Sequence, residues 1–169
     1  MNTPTTPPLK RRLASMVYES ILLFGIVVIA GLIYAVLVEQ RHALHMRHGL
    51  QTTLLFAITG YFLWFWTHGG QTLPMKTWRM RLVTSDGRAV GLGRAIGRYL
   101  LAWLWFLPGL GIASALGAQG WMLALIPAAN AVLWAMTAYL DPQRQFLHDR
   151  IAGTRIVVVA EPSKVAPPK

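Results

Sequence analysis

Cysteine is absent from the chain. That excludes a disulfide scaffold and any thiolate chemistry, and it leaves the redox compartment unreadable. Charge is also scarce. Asp, Glu, Lys and Arg make up 13% of the 169 residues, about half the ~25% of an ordinary soluble domain. Acids are scarcer still, 6 against 16 Lys and Arg, for a formal net charge of +10. A soluble nucleic-acid binder of that charge needs a polar exterior, and these residues cannot build one. What is present instead is apolar: 54% of residues are hydrophobic and the mean hydropathy is +0.44. The composition describes one small domain whose solvent is largely lipid.

Four stretches are long and apolar enough to cross a bilayer at about 20 residues each. They cover about 13–38, 50–66, 99–116 and 121–140. The last two come from a single run, because no charged residue occurs between Tyr99 and Leu140. As one helix that run would be about 63 Å long, twice the hydrocarbon thickness of about 30 Å. It must fold back, and Gly117-Ala118-Gln119-Gly120 is the evident turn. The first stretch opens with Lys10-Arg11-Arg12, as a signal peptide does, but it is too long for a 7–15-residue h-region and reads as a retained helix. The expected fold is therefore an all-α membrane protein, a four-helix transmembrane bundle.

Four passes place the N-terminus, the 67–98 connection and the tail on one side. Those segments hold fourteen of the 16 Lys and Arg, and only Arg41 and Arg47 lie on the other. The positive-inside rule makes the richer side cytoplasmic, in the plasma (inner) membrane, with both termini inside. Within the 67–98 connection, Trp78, Met80 and Leu82 alternate with Arg79 and Arg81, and Asp86-Gly87 and Ala89-Val90 follow. This predicts a small cytoplasmic β-hairpin. Arg155 to Ala160 offers a third strand. Residues 1–8 and 161–169 are rich in proline and predict disordered tails. The basic clusters all flank spans, so anionic lipid headgroups are the expected partner and nucleic acid is not. Arg79, Arg81, Arg94 and Arg98 are the expected headgroup contacts.

Glu19 is the one ionisable side chain inside an expected span. A carboxylate at that depth costs a few kcal/mol, so it needs a partner or a watery cavity. It reads as a proton or cation site, or as an acid locked to an arginine that fixes helix packing. Arg12 lies two helical turns earlier on nearly the same face, and Asp149, beyond the fourth span, is a candidate partner for Arg12. His42, His45 and His48 recur every three residues, a spacing that admits a soft metal site, although an exposed histidine-rich loop is the stronger reading. Gly91, Gly93 and Gly97 lack the Lys-Ser/Thr of a nucleotide loop and instead suit close packing. No nucleophile–base constellation occurs, so neither an enzyme, a cofactor nor a metal centre is expected.

Lys10-Arg11-Arg12-Leu13-Ala14, Gly70-Gln71-Thr72-Leu73 with Lys76 and Arg81-Leu82-Val83, and Leu147-His148-Asp149 with Ala152-Gly153-Thr154 occur in that order. Together they make the chain resemble the RDD family of membrane proteins over about residues 9–160. That family is named for one arginine and two aspartates. The resemblance assigns the arginine to Arg12, with Arg11 as the alternative register, and the second aspartate to Asp149. Glu19 stands where the first aspartate is expected, and Pro74 replaces a glycine of the loop motif. The resemblance implies a transport role, with cation/proton exchange as one form and Glu19 as the titratable site. The alternative is a non-catalytic accessory subunit of a membrane complex. Either reading implies a homo-oligomer or a membrane-protein partner.

Overall fold

The computed structural model describes residues 5–38 and 47–159. Helix α1 (Leu9–Leu37) is apolar almost all round, and of its residues only Arg12 and Ser15 are buried. Such a helix has no solvent-facing stripe, as expected of a segment whose surroundings are hydrocarbon. Helix α2 (Arg47–Thr67) packs against α1. A short α3 (Leu73–Thr77) follows, its first turn capped by the Thr72 hydroxyl, which accepts from the Met75 N–H.

Strand β1 (Met80–Thr84) does not form a hairpin with Ala89-Val90, contrary to the sequence expectation. It pairs antiparallel with β2 (Thr154–Val158), in register from Met80↔Val158 to Thr84↔Thr154. The physical reason lies in the intervening loop. The Thr84 hydroxyl and amide both donate to the Arg88 carbonyl, which closes a tight turn, and Val90 then drops into the core before α4 (Leu92–Ala102) begins. The tail strand, expected as an optional third, is β1's partner. Trp66, Met75, Met80, Leu82, Val90, Ala95, Tyr99 and Ile156 form the core beneath this sheet. Full burial of a residue such as Met80, Leu82 or Ile156 is worth about 1.5–3 kcal/mol.

Two close approaches fix the loop that feeds β1. Gly70 has φ +73°, and its carbonyl accepts from the Leu82 N–H at 2.7 Å. A Cβ there would lie 2.4 Å from the Leu82 carbonyl oxygen, so only glycine fits. On the other side of the sheet, residues 5–8 are held rather than loose. The Thr5 carbonyl accepts from the Val158 N–H at 2.9 Å, and the Thr6 hydroxyl accepts from Gln145 at 3.1 Å. The expected disorder of 1–8 therefore does not extend to these four residues, and 1–4 and 161–169 lie outside the described residues.

After Ala102 the helical path breaks into a single 3₁₀ turn, Trp103–Trp105, before α5 (Leu107–Ala115) resumes. Pro108 in the first turn of α5 cannot donate to the preceding turn, which is the local cause of the break. Asn130 of α6 (Met122–Met136) satisfies the freed carbonyls, donating to Leu104 at 3.1 Å and Trp105 at 2.6 Å. Gly109 lets the two helices meet, since a Cβ there would sit 2.7 Å from the Cα of Pro127. Gly117 and Gly120, at φ +60° and +56°, make the α5–α6 turn at the expected place. The short α7 (Leu147–Ile151) then leads into β2.

Among the described residues, three helical stretches are long and apolar enough to cross a membrane: Leu9–Leu37, Leu92–Ala115 and Met122–Tyr139. The second expected span forms α2, but Gln51, Thr52, Thr53 and Thr59 dilute it below that standard. The third starts seven residues earlier than expected, at Leu92 instead of about residue 99, because α4 runs into it.

Candidate functional site

The first turn of α1, the middle of α4 and the start of α7 meet at one buried carboxylate. Asp149 is 0% exposed. Its Oδ1 accepts from Arg98 Nε at 2.7 Å and its Oδ2 from Arg12 Nη2 at 3.4 Å. Arg12 is 2% exposed and Arg98 8%. Arg98 was expected at the lipid headgroups with Arg94, and the structure corrects that. Arg98 shares the buried face of α4 with Ala95 and Tyr99, whereas Arg94 is exposed and lies 3.9 Å from Asp86. Arg79 and Arg81 are exposed, and Arg81 Nε donates to the Gly69 carbonyl.

Aromatic faces complete both guanidinium sites. Arg12 lies 3.6 Å over the Phe146 ring and Arg98 4.3 Å over the Trp66 ring. A cation over a ring gains about 0.5–2 kcal/mol, towards the upper end when dry. The Arg144 carbonyl also accepts from Arg12 Nη1. Arg144 itself adopts φ +53°, a left-handed conformation that costs a non-glycine residue roughly 1–2 kcal/mol. The backbone there is bent to aim a carbonyl at the cation.

His148 stands beside the carboxylate, with Nε2 3.6 Å from Asp149 Oδ1. Its Nδ1 accepts from two indole N–H groups, Trp105 at 3.3 Å and Trp134 at 3.2 Å. Two donors on Nδ1 leave the ring proton on Nε2, facing Asp149. Burial pushes the His148 pKa down to about 4; Asp149 opposes this, while Arg98 and Arg12 add to it. Burial works against the Asp149 carboxylate, but Arg98 above all, with His148 and Arg12, holds its carboxyl below the usual range. At neutral pH the cluster thus carries two cations, one anion and a neutral imidazole, a surplus of one positive charge.

Glu19 does not meet either arginine through a hydrogen bond. Its Oε1 accepts from the Tyr61 hydroxyl of α2 and its Oε2 from the Thr72 hydroxyl, both at 2.6 Å. Thr72 is fully buried, and its oxygen serves at once as the cap of α3 and the partner of the acid. The carboxylate expected to face a partner or a watery cavity is held by two hydroxyl donors from separate elements and lines a cavity, and no hydrogen bond locks it to an arginine among the described residues.

A cavity of about 410 Å³ connects the two groups. Glu19, Arg12, Arg98 and His148 line it, and so do the residues of the broken span, Ala102, Trp103, Trp105 and Phe106. Among the described residues, no group of three or more His, Asp or Glu could hold a metal ion. His42 and His45 lie outside the described residues, and His48 is exposed near the start of α2.

Sequence reasoning placed Arg12, Glu19 and Asp149 as the candidates, and the structure joins Arg12 to Asp149. It missed Arg98, His148, Tyr61 and Thr72. The available signal was Ala95, a small apolar residue three positions before Arg98 and therefore on its side of the helix. Residues 6–153 match the RDD family. No curated protein and no solved structure matches the chain.

Proposed function

Because the chain belongs to the RDD family of membrane proteins, we propose that it acts within the bilayer as a proton-coupled transport unit, with Glu19 as its proton-binding group. One observation carries the reading. A lone carboxylate, gripped by the Tyr61 and Thr72 hydroxyls, lines the same cavity as a buried ion cluster and a broken apolar span. Interrupted spans recur at transport sites, since irregular backbone at membrane depth is tolerated where it borders a cavity. Cation/proton exchange is the form the sequence suggests. A small cation would take the proton's place among the oxygens of Glu19, Tyr61 and Thr72.

In the threading we propose, α2 is the fourth pass: at 21 residues it is about 31 Å long, enough for a hydrocarbon layer of about 30 Å. Three segments assigned to the cytoplasm meet in the fold, since β1 of the 67–98 connection pairs with the tail strand and Thr5 bonds to that same strand. An even number of passes in the plasma membrane, with both termini inside, accommodates that meeting. Four helices enclose little private pathway, so the unit works as a homo-oligomer or beside a membrane-protein partner.

The test is proton flux in inverted vesicles. Wild-type protein is expected to dissipate an imposed pH gradient on solute addition, and Glu19→Gln to abolish the response while the protein still accumulates in the membrane. Full flux in Glu19→Gln removes Glu19 from the mechanism. No flux in wild type, together with a stable co-purifying membrane complex, favours the accessory-subunit reading.

A further inference from the structure

The transport reading accounts for the Glu19 end of the cavity, and the other end answers to different chemistry. Arg98 is 8% exposed and makes one hydrogen bond among the described residues, from Nε to Asp149. Its Nη1 and Nη2 face no protein acceptor there, although the side chain lines the cavity. Beside it, Arg12 Nε is buried with no hydrogen-bond partner. A guanidinium with its terminal nitrogens open is a planar fork matched to two oxygens of a carboxylate or phosphate. A buried donor left unpaired, as Arg12 Nε is, costs about 1–3 kcal/mol, so the site gains by accepting a ligand oxygen there.

Apart from Ser15, Glu19, Ser20 and His148, the rest of the lining is largely apolar or aromatic. Phe62, Tyr99, Trp103 and Phe106 wall the space beyond the arginines. With Glu19 carrying its proton, as the transport reading has it when loaded, Arg12, Arg98 and Asp149 leave one positive charge at the cavity, and a single anion brings the count to zero. The cavity volume of about 410 Å³ falls inside the ~300–1,000 Å³ of small-molecule sites.

We propose that this cavity binds a singly charged amphipathic anion, with its carboxylate or phosphate head on the open nitrogens of Arg98 and on Arg12 Nε, and its apolar body among Phe62, Tyr99, Trp103 and Phe106. The inference goes beyond the transport reading: it adds an anion at the arginine end to the proton or cation at Glu19, and it rests on that reading only for the protonated state of Glu19. The head group has two possible sources, a free organic acid and a lipid phosphate.

The experiment uses the whole protein in nanodiscs of zwitterionic phosphatidylcholine, followed by tryptophan fluorescence, because Trp66, Trp103 and Trp105 line the cavity. The probes are octanoate, 1-octanol, octylammonium and dioctanoyl phosphatidate. A saturable response to octanoate, at least about tenfold tighter than to octanol or octylammonium, is expected. A response to phosphatidate alone keeps the anion site and assigns it to lipid. Arg98→Lys, which keeps the charge and loses the fork, is expected to weaken the anion response by about tenfold or more. Equal responses to octanoate, octanol and octylammonium, without a phosphatidate response, overturn the proposal in the wild-type protein, whether or not the variant folds. Anion binding without proton flux in vesicles sinks the transport reading and leaves the site standing. Flux that depends on Glu19 without anion binding does the reverse.

Discussion

Replacing Asp149 by Asn removes one charge and almost no volume, and it strands two guanidiniums. Arg12 and Arg98, 2% and 8% exposed, would then face a neutral amide from α1 and α4. Removing one partner of a buried pair costs about 3–5 kcal/mol, chiefly as the penalty of the charge left behind. Asp149 serves two cations, so its loss belongs at the top of that range, about 5 kcal/mol, against a total stability of about 5–15 kcal/mol for a domain. For a chain of this size that corresponds to a fall in Tm of about 10–20 °C. Arg12→Met is the milder change, because it leaves Asp149 on Arg98 at 2.7 Å and breaks only the 3.4 Å contact. The double variant Arg12→Met/Asp149→Asn leaves a single stranded cation and is expected to lose less than the two single losses added together. Thermal melting in mild detergent, read by tryptophan fluorescence, reports on the site because Trp105 and Trp134 both bond His148. A Tm for Asp149→Asn within about 2 °C of wild type, or a larger loss from Arg12→Met, would refute the account of the cluster.

Two further outcomes follow from the same geometry. His148 has a depressed pKa of about 4 against 6.5 for the free side chain, so the unfolded chain takes up its proton first. Its contribution is complete above pH 6.5 and declines as the pH falls toward 4. Asp149, also depressed, adds a loss below the ordinary carboxylate range. Melting curves between pH 8 and pH 4 should therefore be flat at first and then fall, and a Tm that rises on acidification contradicts the neutral His148. Gly70→Ala forces φ +73° on alanine and presses its Cβ against the Leu82 carbonyl. A loss of about 2 kcal/mol or more in the same melt is expected, and a neutral outcome would show that the loop feeding β1 can shift.

The apolar runs, their turn at Gly117–Gly120 and the family were legible in the sequence, because length, charge and motif order are properties of the chain itself. The meeting of Arg12 with Asp149 was legible for a related reason: counting cations put both residues on one side of the membrane. The role of Arg98 was not. Arg94 and Arg98 are four apart, which suggested a common direction, but the burial boundary of α4 runs between them. The partners of Glu19 were hidden by chemistry, since a search for a counter-charge passes over the hydroxyls of Tyr61 and Thr72, which lie 42 and 53 residues away. The hairpin expectation failed because Ala89-Val90 is too short to compete with the Ile156-Val157-Val158 face, which only tertiary folding brings alongside β1.

The ion cluster also orders events in time. Arg12 precedes its carboxylate by 137 residues and Arg98 by 51. During synthesis both cations leave the ribosome before the one group that neutralises them. A chain arrested between Arg98 and α7 therefore holds two basic side chains without the carboxylate that joins them, and they settle together only once α7 has been made.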